Sequence, residues 1–145
     1  MKSRRITGAA AGTFVLVFEP EDEVIGELTA FAARDRIAAS HFTGIGAFRD
    51  AVVGYFDRRS KDYQRIRIAE QVEVLSLAGD ITLEKGEPKV HAHVVLGKRD
   101  ATAHGGHLLE AHVWPTLEVV LEEMPATLVR RYDASTGLSL IALDQ

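Results

Sequence analysis

The sequence predicts an α+β fold: a mostly antiparallel β-sheet with one main helix near the N-terminus. Two observations carry this. Short strand-like segments follow one another at close intervals from His41 to Leu143, and a single early stretch, from Val24 to Ala32, spaces its apolar residues as a helix does.

Thr13 to Phe18 is β-branched and aromatic on both faces, as in a central strand, and Pro20 ends it. Glu21-Asp22-Glu23 opens the helix, placing acidic residues where the helix dipole favours them. Val24, Leu28 and Phe31, with Ile25 and Ala32, make its apolar face, and Arg34-Asp35-Arg36 closes it. Strands follow at His41–Phe48, loosened by Gly44 and Gly46, then at Ala51–Phe56, Tyr63–Ile68, Val72–Leu77 and Ile81–Leu83. The two glycines are read as relief of crowding in a bent strand. Lys85-Gly86-Glu87-Pro88 is a turn, and Val90–Leu96 is the clearest strand. Leu108–Val113, Leu128–Tyr132 and Leu138–Leu143 read as strands, while Leu117–Leu121 fits a strand or a helix. Residues 1–12 form an N-terminal tail and 13–145 a single domain, with no repeat or low-complexity linker.

At 145 residues, 46% hydrophobic and 26% charged, the chain is sized and composed for one folded domain with its own core. It has no cysteine, which excludes disulfides, thiol catalysis, cysteine zinc fingers and iron–sulfur clusters, and fits a reducing, cytoplasmic setting. Arg4-Arg5 precedes an apolar stretch, but the small residues come before the bulky ones, the reverse of a cleaved export signal. No run approaches the ~20 apolar residues of a membrane helix, so no membrane partner is expected. Seventeen Lys and Arg against 21 Asp and Glu give a net charge of −4, unlike the basic excess of most nucleic-acid binders.

The sharpest chemical signal is Val90-His91-Ala92-His93-Val94-Val95-Leu96. Side chains alternate along a strand, so His91 and His93 share one face. Fourteen residues beyond His93 stands Gly105-Gly106-His107, whose glycines permit a tight turn that can bring His107 to the pair; His104 and His112 are further candidates. Three neutral imidazoles around Zn²⁺ leave a fourth position for water, and the same donors suit nickel, copper or iron. The alternative is a set of ordinary exposed strand histidines. The carboxylate that would complete a cupin-type motif is absent from Val94-Val95-Leu96-Gly97-Lys98.

Arg58, Arg59, Lys61, Arg65 and Arg67 crowd into ten positions. They read first as a solvated hairpin and second as a phosphate-contacting patch, to which Lys2, Arg4 and Arg5 would add. Glu118, Glu122 and Glu123 offer carboxylates but fit a solvated edge equally well.

Together the segments resemble the plants-and-prokaryotes-conserved (PPC) domain. The matching stretches are Gly44-Ile45-Gly46-Ala47 with Arg49-Asp50-Ala51, Gly54-Tyr55-Phe56, Glu73 to Ile81, His91 to Gly97, Gly105-Gly106-His107-Leu108 and Thr116 to Leu121. The resemblance runs from about Thr13 to Leu143. It implies a homotrimer and, as in prokaryotic members, a metal site carried here by His91, His93 and His107, holding zinc or another divalent transition metal. Arg49 and Glu118 stand at family positions suited to helper residues around it. Plant members read DNA through an Arg-Gly-Arg-Pro hook; here Arg4-Arg5 is followed by Ile6-Thr7. The expected function is therefore a trimeric, zinc-binding module for DNA binding or for transcription-associated protein interaction, without a DNA hook of its own; direct DNA contact would fall to Lys2, Arg4, Arg5 and the Arg58–Arg67 patch. The alternative is a metal-dependent enzyme or small-molecule sensor using an open three-histidine site.

Overall fold

The computed structural model describes residues 1–5 and 11–143. Nine strands and one helix are present among them: β1 (Lys2–Arg5), β2 (Thr13–Phe18), α1 (Val24–Asp35), β3 (Ala39–Asp57), β4 (Asp62–Ile68), β5 (Val72–Glu84), β6 (Glu87–Gly97), β7 (Ala103–Glu123), β8 (Val129–Asp133) and β9 (Leu138–Ala142). The sheet runs β1-β2-β7-β3-β5-β8-β9, with β4 paired to β3 and β6 bridging β5 and β7. All pairings are antiparallel except β5 with β8. Because β3, β5, β6 and β7 pair in a cycle, the middle of the sheet closes on itself.

The helix begins where expected. Glu23 caps it, its carboxylate accepting from the amides of Ile25 at 3.2 Å and Gly26 at 2.6 Å. Arg36 ends it in a left-handed conformation, its N–H bonded to the Ala32 carbonyl. Val24, Leu28, Phe31 and Ala32 are buried, and Phe31 meets Phe14 of β2 edge-on with ring centroids 5.2 Å apart. Among the described residues, no helix is long and apolar enough to cross a membrane.

Four expectations are corrected. The pieces expected at 41–48 and 51–56 are one strand, β3, which absorbs its irregularities as register shifts rather than as a break. At Gly46, a Cβ would lie 2.3 Å from the Thr116 carbonyl oxygen, so the close approach of β3 to β7 requires glycine there. Likewise 72–77 and 81–83 merge into β5, and 108–113 and 117–121 into β7, which settles the latter segment as strand. The cis Trp114–Pro115 bond lies within β7. Finally, Lys2–Arg5, expected in the tail, forms β1 and pairs along β2, with Lys2 also salt-bridged to Glu19 at 2.5 Å. Strand alternation divides β6 cleanly: Val90, Ala92, Val94 and Leu96 enter the core, and His91 and His93 face outward.

Candidate metal centre

The outward face of β6 meets the outward face of β7 at one register position, where His93 lies directly across from His107. His91 is one pleat away on the same side. The three imidazoles form a nearly equilateral triangle, with ring centroids 5.2 Å (His91–His93), 5.2 Å (His91–His107) and 5.3 Å (His93–His107) apart. One ligating nitrogen from each lies within 4.8 Å of the others.

The expected glycine turn before His107 is not there. Gly105 and Gly106 are extended residues of β7, and the turn lies earlier, between β6 and β7, where Asp100 caps Thr102. The glycines serve proximity instead: a Cβ on Gly105 would lie 2.6 Å from the Val94 carbonyl oxygen, and one on Gly106 2.8 Å from that of Gly54. With no side chains there, β7 can lie close against both neighbours at the position of His107.

Neighbouring residues orient the triad. Asp80, paired with His91 across β5 and β6, places Oδ2 3.2 Å from His91 Nδ1. The tautomer that donates from Nδ1 to this carboxylate leaves Nε2 as a lone-pair ligand. Asp80 Oδ1 accepts a 2.7 Å hydrogen bond from Arg130 Nη2, and Arg130 Nε donates to Thr82 Oγ1 at 2.9 Å. Burial alone would raise the Asp80 carboxyl, but hydrogen bonds from His91 and Arg130 outweigh it and hold the group below its usual range. Tyr63 of β4 stacks on His107 with centroids 4.6 Å apart.

Burial, followed by the positive potential of the neighbouring imidazoles, Lys89 and Arg130, pushes His107 down to about 4. Burial first and His91 second lower His93 as well. Both rings are thereby held neutral, the state a metal requires. His107 Nδ1 is buried and has no hydrogen-bond partner among the described residues. An orphaned buried polar atom of this kind costs about 1–3 kcal/mol. Three convergent, sulfur-free imidazole donors fit zinc or a similar divalent transition ion. They floor a cleft of about 450 Å³, walled on one side by Tyr132, Leu138 and Leu140 of the β8–β9 hairpin.

The other candidates lie elsewhere. Arg49 pairs with Glu21 and with Asp50, the latter at 2.7 Å, and does not line the histidine cleft. Glu118 sits far along β7, opposite Ile45, beside a separate groove that also includes Leu75. His112 is engaged with Asp50 at 2.9 Å, and His104 with Thr102 at 3.3 Å. Arg58, Arg59 and Lys61 occupy the exposed β3–β4 hairpin, where Lys61 reaches the Ala134 carbonyl at 2.7 Å, and Arg65 lies 3.5 Å from Glu110. Sequence reasoning missed Asp80, Arg130 and the stacking role of Tyr63. A lone carboxylate in the strand Ala78-Gly79-Asp80-Ile81 and a lone guanidinium in Leu128-Val129-Arg130 were the available signals.

A closed, helix-backed β-sheet presents three convergent histidines as a candidate metal site. The Plants and Prokaryotes Conserved (PCC) domain matches residues 5–125, and the chain belongs to that family. Three solved structures are similar over nearly the full length of both chains. A plant- and prokaryote-conserved protein from Pyrococcus horikoshii is 31% identical, with a TM-score of 0.87, over 97% of this chain and 99% of that one. A metal-containing protein from Archaeoglobus fulgidus is 34% identical, with a TM-score of 0.83, over 98% and 99%. A candidate DNA-binding protein from Ralstonia eutropha JMP134 is 26% identical, with a TM-score of 0.87, over 96% and 95%. None of the curated proteins matches the sequence.

Proposed function

We propose that this PCC-domain protein is a cytoplasmic, homotrimeric, zinc-binding module that serves protein interaction in a transcription-associated role. The single observation behind the metal is the triangle of His91, His93 and His107, whose ligating nitrogens lie within 4.8 Å of one another. The metal-containing relative from Archaeoglobus fulgidus supports the same reading. The test is elemental analysis of tag-free protein beside His91→Ala and His107→Ala. About one zinc per chain, lost in both variants with the fold intact, is the expected result. No metal after zinc addition and removal of the excess contradicts it.

The trimer draws support from an apolar surface away from the cleft. Ile45 is 63% exposed, Leu75 55% and Val120 44%, a density of large apolar side chains that a monomer seldom leaves in water. Direct DNA contact, as the Ralstonia relative's description suggests for that protein, would fall to Arg58, Arg59, Lys61, Arg65 and Arg67 against a net charge of −4. It predicts binding that weakens steeply with salt, and no binding at ~50 mM salt removes it.

A second reading, a metal-dependent enzyme or small-molecule sensor, is favoured by the cleft itself. Three protein ligands leave an open position, and a metal there would activate water or polarise a bound ligand. Asp80 would orient His91, and Tyr63 would hold the ring of His107. A ligand-induced rise in melting temperature that vanishes in His91→Ala is the expected sign; no shift with any metabolite tested counts against it.

A further inference from the structure

We infer that the histidine cleft takes a small organic monocarboxylate whose apolar tail lies against the β8–β9 hairpin. The inference rests on the metal reading above and names the ligand class for that site.

The charge balance comes first. The triad contributes only imidazole nitrogens, with no carboxylate among them. A divalent ion held there would keep its whole charge, and an anion in the open position would relieve it. Lys89 lines the same cleft with an exposed ammonium and no oppositely charged partner among the described residues. Arg130, the other cation of the cleft, is already engaged by Asp80. Lys89 is thus the cation available to an incoming anion.

The shape of the cleft selects further. Its hairpin wall is apolar and open: Tyr132 is 70% exposed and Leu140 42%. These side chains give a short hydrocarbon tail something to bury against. Glu84 also lines the cleft, its carboxylate accepting from the Ser139 hydroxyl and meeting no cation among the described residues. Its charge disfavours a second carboxylate on the ligand, and the apolar wall offers nothing to inorganic phosphate. A monoanion with a hydrocarbon tail satisfies all three constraints.

The test is calorimetric titration of zinc-loaded protein with hexanoate, acetate, hexanamide, adipate and inorganic phosphate. Hexanoate is expected to bind tightest, with the others weaker by about tenfold or more. Lys89→Ala should weaken hexanoate about tenfold while leaving the zinc content unchanged. Leu140→Asp should abolish the preference for hexanoate over acetate. Phosphate, adipate or hexanamide binding as tightly as hexanoate overturns the inference, as does a Lys89→Ala variant with undiminished affinity. Zinc uptake without hexanoate affinity overturns this inference alone, and protein that takes up no zinc overturns it together with the metal reading.

Discussion

Arg130 donates a 2.7 Å hydrogen bond to Asp80 from a guanidinium side chain only 8% exposed. The other oxygen of that carboxylate reaches His91. One aspartate thus neutralises a buried cation and aims a metal-ligand candidate. Removing one partner of a buried pair strands the other charge, at a cost of about 3–5 kcal/mol. Asp80→Ala should therefore unfold well below the wild-type temperature. Asp80→Asn keeps the size and loses the charge, and should weaken zinc binding by about 10–100-fold. Competition against a chelator of known affinity measures the second effect, and an unchanged zinc affinity would contradict it.

The neutral histidines set a pH dependence. An unfolded chain takes up protons at His93 and His107 near the ordinary value of 6.5, whereas burial makes the folded chain resist them, down to about 4 at His107. The unfolded state therefore binds more protons in this window, and stability falls as pH drops from 6.5 towards 4. Asp80, held below its ordinary 3.8, adds its loss only at still lower pH. Thermal melts of metal-free protein should show a falling midpoint between about pH 7 and pH 4.5. The fall should be shallower in His107→Phe, which retains an aromatic ring against Tyr63 and removes one titrating group.

Gly105→Ala tests the close approach of β7. The new methyl would meet the Val94 carbonyl oxygen at 2.6 Å, which is backbone and cannot swing aside. Separating the strands there should lower stability by about 1–3 kcal/mol. It should also lower zinc affinity, because His107 follows two residues later. A variant that melts early yet binds zinc normally would separate the two effects and contradict this account.

Leu75→Glu tests the trimer without touching the cleft. A charge at a 55%-exposed apolar position is tolerated in a monomer and costly in an interface. The wild type is expected to scatter as a trimer at micromolar concentration and the variant as a monomer with its zinc retained. Wild-type protein that scatters as a monomer removes the trimer.

Some of this was legible in residue order. The helix start at Glu21-Asp22-Glu23 and the His91–His93 pair follow from local periodicities, 3.6 and 2, that no tertiary contact overrode. Two features were not legible. Strand continuity through Gly46 and through Pro115 depends on register shifts that partner strands impose, so the sequence read as shorter strands than the fold contains. The placement of Arg130 behind Asp80 depends on the parallel β5–β8 contact between segments some fifty residues apart. Local pattern carries no information about such pairings.

The hairpin that holds the triad also bears on the order in which the chain assembles. Its outermost histidines, His91 and His107, are sixteen positions apart (107 − 91) and meet across one short turn, whereas the β2–β7 register joins Thr13 to Glu122 over 109 positions (122 − 13). Loop-closure entropy grows with the length of chain enclosed, so the histidine hairpin is the cheaper closure of the two. The histidine triad is encoded within one contiguous segment, while the sheet around it must wait for the two ends of the chain to find each other.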